Sequence, residues 1–121
     1  MATVLVADDE PTIRHVLRTF LESEGFAVVT AADGVEALEA YQHNGERIDA
    51  VVLDLGMPRM SGRACLEALR DLAPELPVII STGSSTEQDT EDLTLQGASA
   101  VLEKPFRLDL LGDALREVLN R

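Results

Sequence analysis

The sequence predicts an α/β fold, a doubly wound parallel sheet of five strands with five helices, on three observations. Short β-branched apolar runs recur five times along 121 residues. Each is followed by a stretch of helical periodicity, and the runs are continuous rather than alternating, as strands covered on both faces require. Right-handed crossovers follow from that arrangement.

The first run, Thr3–Ala7, leads into a helix whose apolar stripe is Ile13, Val16, Leu17, Phe20 and Leu21, with Pro11 suited to its first turn and Gly25 to its stop. The second, Phe26–Thr30, precedes Asp33-Gly34-Val35-Glu36, a capping side chain three residues before a glutamate, which opens a helix through about Tyr41. The third, Ala50–Leu53, precedes a helix opened by Ser61-Gly62 and carrying Leu66 and Leu69. The fourth, Pro77–Ser81, is followed by Ser84–Gln96, where Leu93 and Leu95 are the only large apolar residues. A helix there is expected to bury little and be loosely held. The fifth, Ser99–Leu102, leads to a last helix from about Leu108 with Leu108, Leu111, Leu115, Val118 and Leu119 on one face. No linker, repeat or biased tail interrupts the pattern, so residues 1–121 are expected to form one domain.

Composition excludes several function classes. Ten Lys+Arg against 22 Asp+Glu leave a formal charge of −12. A nucleic-acid surface needs a basic stripe and an anionic membrane needs a cationic face, so neither is an expected partner. One cysteine, Cys65, excludes an internal disulfide and a multi-cysteine metal site. No apolar run approaches the roughly 20 residues of a membrane span, and Met1–Val6 shows no secretory pattern. A cytoplasmic, reducing location is expected.

In a doubly wound sheet, function collects at the carboxyl ends of the strands. Here those ends carry Asp8-Asp9, Asp54, Ser81-Thr82 and Glu103-Lys104-Pro105. A lone aspartate there is most simply a helix cap, and Asp9 before Pro11 fits that use. Three converging carboxylates repel one another and call for a cation. Hard oxygens without neighbouring His or Cys favour Mg²⁺; His15 and His43 fall within helical stretches and read as solvated surface residues. Asp54, leaving a buried strand, can attack phosphorus. Gly56 lets the following loop turn and offer a carbonyl oxygen to the metal, while Gly56-Met57-Pro58 is equally a plain turn. Lys104 is placed to pair with a carboxylate and then with phosphoryl oxygens, and its bond to Pro105 is a candidate cis peptide. Thr82, or failing it Ser81, offers a hydroxyl to a phosphoryl oxygen. Together these parts make a phosphoryl-transfer site.

The segments Val6–Pro11, Asp54–Gly62, Pro77–Gly83 and Glu103–Phe106 resemble, in order and in spacing, the receiver domain of two-component response regulators. That resemblance implies a flavodoxin-like sheet of strand order 2-1-3-4-5 and Asp54 as the residue phosphorylated by a phosphohistidine donor. It implies Asp9, Asp54 and the Gly56 carbonyl as direct Mg²⁺ ligands, Asp8 acting largely through water, Thr82 as the switch hydroxyl and Lys104 as the phosphoryl-binding cation. The donor would be a histidine kinase or histidine phosphotransfer domain, the reader a downstream protein, and the chain a monomer or a weak phosphorylation-dependent dimer. The wording around Asp54 and Ser81–Gly83 is most similar to receivers at the end of hybrid histidine kinases. One position departs: the family often has an aromatic residue three before the lysine, and here it is Val101. A valine cannot make the inward swing, so switching is expected to rely on the loop after Thr82 and the thinly packed helix beyond it.

Three functions compete at this stage. A signalling receiver catalyses only its own phosphorylation and dephosphorylation. A Mg²⁺-dependent hydrolase turning over an aspartyl-phosphate usually carries a second acid two residues after its nucleophile, where this chain has Gly56. An inert α/β interaction module would not need every key position filled. No output segment follows Arg121, so DNA binding by this chain itself is not expected.

Overall fold

The computed structural model describes residues 1–44, 47–83 and 87–120. Strands and helices alternate as β1 (Thr3–Ala7), α1 (Pro11–Ser23), β2 (Ala27–Ala31), α2 (Gly34–Asn44), β3 (Ala50–Asp54), α3 (Gly62–Leu72), β4 (Val78–Thr82), α4 (Glu87–Leu95), β5 (Ala100–Glu103) and α5 (Leu108–Leu119). All strand pairs are parallel and the sheet order is β2-β1-β3-β4-β5. Fold class and strand order match the expectation.

Strand alternation sorts the core into two layers. Leu5, Val51, Leu53, Val78 and Ile80 face Ala37 of α2, Cys65, Leu66 and Leu69 of α3, and Leu93 of α4. Val4, Val6, Ala50, Val52 and Ile79 face Leu17 and Leu21 of α1 and Leu111, Leu115 and Val118 of α5. β3 and β4 are buried along their whole length, which explains their continuous apolar runs.

The strand limits shift by a residue from the sequence reading at β2, β4 and β5, and β3 gains Asp54. Phe26 gives its N–H to Leu21 O in the stop of α1 and so does not begin a ladder, while Pro77, with no N–H, joins β3 only as an acceptor, its O taking the Val51 N–H at 2.9 Å. Gly25, with φ +95°, makes that stop: its N–H bonds Glu22 O beneath the Phe26 bond. The capping use of Asp9 fails. Glu10 is the N-cap of α1 and makes no side-chain cap, with Pro11 supplying the first turn. Asp33 does cap α2, its Oδ1 accepting from Glu36 N at 2.9 Å, and the helix runs on past Tyr41 to Asn44. Ser61 caps α3 through Ala64 N. Within the predicted helix Ser84–Gln96, residues 84–86 lie outside the described ones. Gly97, φ +108°, follows its end, Leu93 is buried and Leu95 is 85% exposed.

Candidate functional site

β1 and β3 are neighbours at the middle of the sheet, so their last residues meet at its carboxyl edge. Ala7 pairs with Leu53, one residue before Asp8 and Asp54. Both aspartates are buried, Asp8 at 1% and Asp54 at 6% exposure. β5 delivers Lys104 to the same corner: its N–H bonds Thr82 O at 2.7 Å, and the Lys104–Pro105 peptide is cis. The Lys104 Nζ lies 2.9 Å from Asp8 Oδ2 and 3.4 Å from Asp54 Oδ1. One ammonium therefore bridges two carboxylates whose sequence positions are far apart.

The charge balance at this corner is incomplete. Burial, and then the neighbouring Asp8, push the Asp54 carboxyl above its ordinary range, against the pull of Lys104 and the Gly56 N–H. Burial works against the Lys104 ammonium, but the Asp8 and Asp54 carboxylates outweigh it and hold its pKa above the usual lysine value. Asp9 and Glu10 are exposed beside Asp8, and one carboxylate oxygen from each of the three lies within 4.8 Å of the others. A hard divalent cation fits this donor set, since every side-chain ligand on offer is a carboxylate oxygen and one lysine leaves the cluster short of positive charge.

Ser81 is the sheet partner of Asp54, while Thr82 closes β4 one step nearer the edge, opposite Glu103; both are buried. Gly56 is exposed in the loop after Asp54, and Leu55 N bonds Ser81 O, tying the start of that loop to β4. Gly62 has to be glycine, because a Cβ there would sit 2.5 Å from the Asp54 carbonyl oxygen. His15 and His43 are exposed, as expected. Cys65 is buried, and burial pushes its thiol up to about 11, so it is no nucleophile here.

Three features were not read from the sequence. Glu10 joins the acidic group; the signal was three consecutive acids at a strand exit. Arg14 Nη1 donates to the Asp8 carbonyl oxygen at 2.7 Å, which its place one turn into α1 makes possible, since helical side chains lean toward the amino end. Arg59, with φ +62°, forks onto Asp33, Nε to Oδ2 at 2.8 Å and Nη2 to Oδ1 at 3.1 Å.

A parallel sheet that gathers buried acids, a lysine and small hydroxyls at one edge defines an acidic site on a flavodoxin-like fold. The family model described as response regulator receiver domain matches residues 4–116, and the chain belongs to that family. It is a receiver domain of the two-component type, whose role is phosphoacceptor signalling. Among its relatives, response regulator MprA of Mycobacterium sp. (strain KMS) is 38% identical over 118 residues, covering 98% of this chain and 50% of that protein. Sensor kinase CckA of Brucella abortus (strain 2308) is 36% identical over 120 residues, covering 99% of this chain and 13% of that protein. The chain thus spans half the length of the first relative and a smaller share of the second.

Of solved structures, a response regulator receiver domain protein from Clostridium thermocellum superposes with TM-score 0.95 at 34% identity, covering 100% of this chain and 96% of that one. A chain of the CheX–CheY–BeF3–Mg²⁺ complex from Borrelia burgdorferi gives 0.93 at 32% identity, covering 97% and 88%. Among the described residues, no helix is long and apolar enough to cross a membrane.

Proposed function

We propose that Asp54 accepts a phosphoryl group from a phosphohistidine and that residues 1–121 act as one receiver unit in the cytoplasm. The observation that carries this reading is the Lys104 ammonium spanning Asp8 and Asp54 at the carboxyl edge of the central strands. An Asp54 carboxylate oxygen attacks phosphorus in line. The O–P bond forms as the P–N bond breaks, and the electron pair stays on the departing imidazole. An ionised carboxylate needs no general base for this step.

Asp9, Asp54 and the Gly56 carbonyl would hold Mg²⁺, with Asp8 acting mainly through water and Glu10 on the rim. Bound there, the ion offsets charge on the phosphoryl oxygens; the BeF3–Mg²⁺ complex of the CheY relative supports this choice of metal. Lys104 exchanges a carboxylate contact for a phosphoryl oxygen, and Thr82 turns its hydroxyl to another. The gain of about two negative charges at Asp54 biases the face made by α4, β5 and α5 between two conformations. The donor is a histidine kinase or histidine phosphotransfer domain, which the kinship with a sensor kinase supports. The reader is a protein docking on that face, and the chain is a monomer or a weak phosphorylation-dependent dimer. It catalyses only its own phosphorylation and dephosphorylation.

The test is incubation with acetyl phosphate and MgCl2. The reading expects one labile phosphoryl group per chain, lost in Asp54→Ala. Continuous consumption of donor without accumulation would indicate a hydrolase, and no reaction would indicate an inert module.

A further inference from the structure

The segment from Leu55 to Ser61 carries the Gly56 carbonyl and joins Asp54 to α3. Its own backbone bonds, Gly62 N to Leu55 O at 2.9 Å and Met60 N to Pro58 O at 2.7 Å, close the loop on itself. They do not fix where it lies relative to β1 and α2. Met57, buried in the core layer that holds Ala7 and Ala37, seats the middle of the loop, and the bidentate fork from Arg59 adds a polar tie to Asp33, at the entry of α2.

Three further observations converge on this joint. Asp33 is itself immobilised: it is buried, and its Oδ1 also accepts from Glu36 N. Arg59 adopts φ +62°, a left-handed conformation that a non-glycine residue takes only when its surroundings enforce it. Next to it, Met60 presses on Gly34, where a Cβ would lie 2.4 Å from the Met60 carbonyl oxygen and 2.7 Å from its Cβ. The loop is thus locked onto the amino end of α2 by a charged fork on one side and a glycine-width contact on the other.

From this we infer that Arg59 and Asp33 are positioning residues for the metal-binding loop: the fork holds the Gly56 carbonyl at the place where the cation is to be met. Neither residue touches the reacting atoms. The inference rests on the phosphoacceptor reading for its purpose, while the lock itself is a property of the metal-free chain.

The test follows both parts by nuclear magnetic resonance. In Arg59→Gly the fork is lost while the left-handed backbone is relieved, so the chain folds. Asp33→Asn keeps an acceptor for the α2 cap and removes the charge. Arg59→Lys keeps the charge and loses the planar fork. In metal-free protein, backbone order parameters over residues 56–60 should fall in Arg59→Gly and Asp33→Asn, with the urea midpoint little changed. In MgCl2 titrations the dissociation constant should rise by about tenfold in Arg59→Gly, the scale seen when groups that orient ligands are removed, with Arg59→Lys in between. Order parameters and Mg²⁺ affinity equal to the parent's in both Arg59→Gly and Asp33→Asn would overturn the inference. A parent chain that neither binds Mg²⁺ nor is labelled by acetyl phosphate would instead overturn the phosphoacceptor reading, with the order parameters still deciding whether the fork locks the loop.

Discussion

α3 and α4 pack on the same layer of the core, yet they are held in different ways. α3 buries Cys65, Leu66 and Leu69, is capped by the Ser61 hydroxyl, and begins at Gly62 pressed against the Asp54 carbonyl. α4 has Leu93 buried, while Leu95 points outward at 85% exposure. The corner that carries Asp54 is therefore fastened to α3, while among the described residues of α4 Leu93 is the apolar side chain that is fully buried. A switch needs this division, because the group that receives the charge has to stay put while something near it moves at little cost.

Truncating the anchors is the strongest way to break the comparison. Leu66→Ala should lower global stability by ~3 kcal/mol, within the range for a fully buried leucine left as a cavity. Leu93→Ala removes an equally buried side chain, but α4 can come away locally. The loss is then capped near the small free energy of that opening, ~1–2 kcal/mol. Urea denaturation of both variants checks this, and equal losses would show α4 to be as integral as α3.

Much of this division could be read from the sequence, because it is written in local composition. The five apolar runs, the leucines of α3 and the polar run around Leu93 each state their burial within a dozen residues. The site was legible for the same reason: Asp8, Asp54, Thr82 and Lys104 all leave apolar strands, and a parallel sheet puts strand exits on one edge. What escaped depends on distant geometry. The Arg59–Asp33 fork joins residues 26 apart in sequence through a left-handed arginine that no propensity favours. The one-residue shifts at β2 and β4 depend on which N–H groups the helix stop and proline leave for the ladder, not on apolarity.

A smaller effect probes the fastened corner itself. In the folded chain the Asp54 carboxyl titrates above its ordinary value, chiefly through burial and then through Asp8. Folding therefore favours the protonated form. The stability this group contributes is fully present below the ordinary carboxyl range and is lost as pH rises through the folded value. Asp54→Asn, neutral at every pH, escapes that loss. In metal-free buffer it should be more stable than the parent at pH 7, by less than Leu93→Ala costs, and the gap should close on acidification. A variant less stable at pH 7 would mean that the contact with Lys104 outweighs burial and repulsion.

The smallest change in stability belongs to the region expected to carry the largest change in signalling. Leu95→Ala alters an exposed side chain and should leave the urea midpoint within about 0.5 kcal/mol of the parent's. Val101 is half-buried against the same core layer as Leu93 and pairs with Ile80. As a stiff, β-branched side chain it cannot carry the signal outward by an aromatic swing. On the proposed reading, a rearrangement of Thr82 around a phosphoryl group would pass to α4 along the chain rather than through an aromatic side chain at 101. Amide exchange in α4 should therefore change when the chain is labelled with acetyl phosphate and MgCl2, while exchange in α3 should not. If α4 exchange is the same in labelled and unlabelled protein, its thin packing is only a local weakness and the signal leaves by another face.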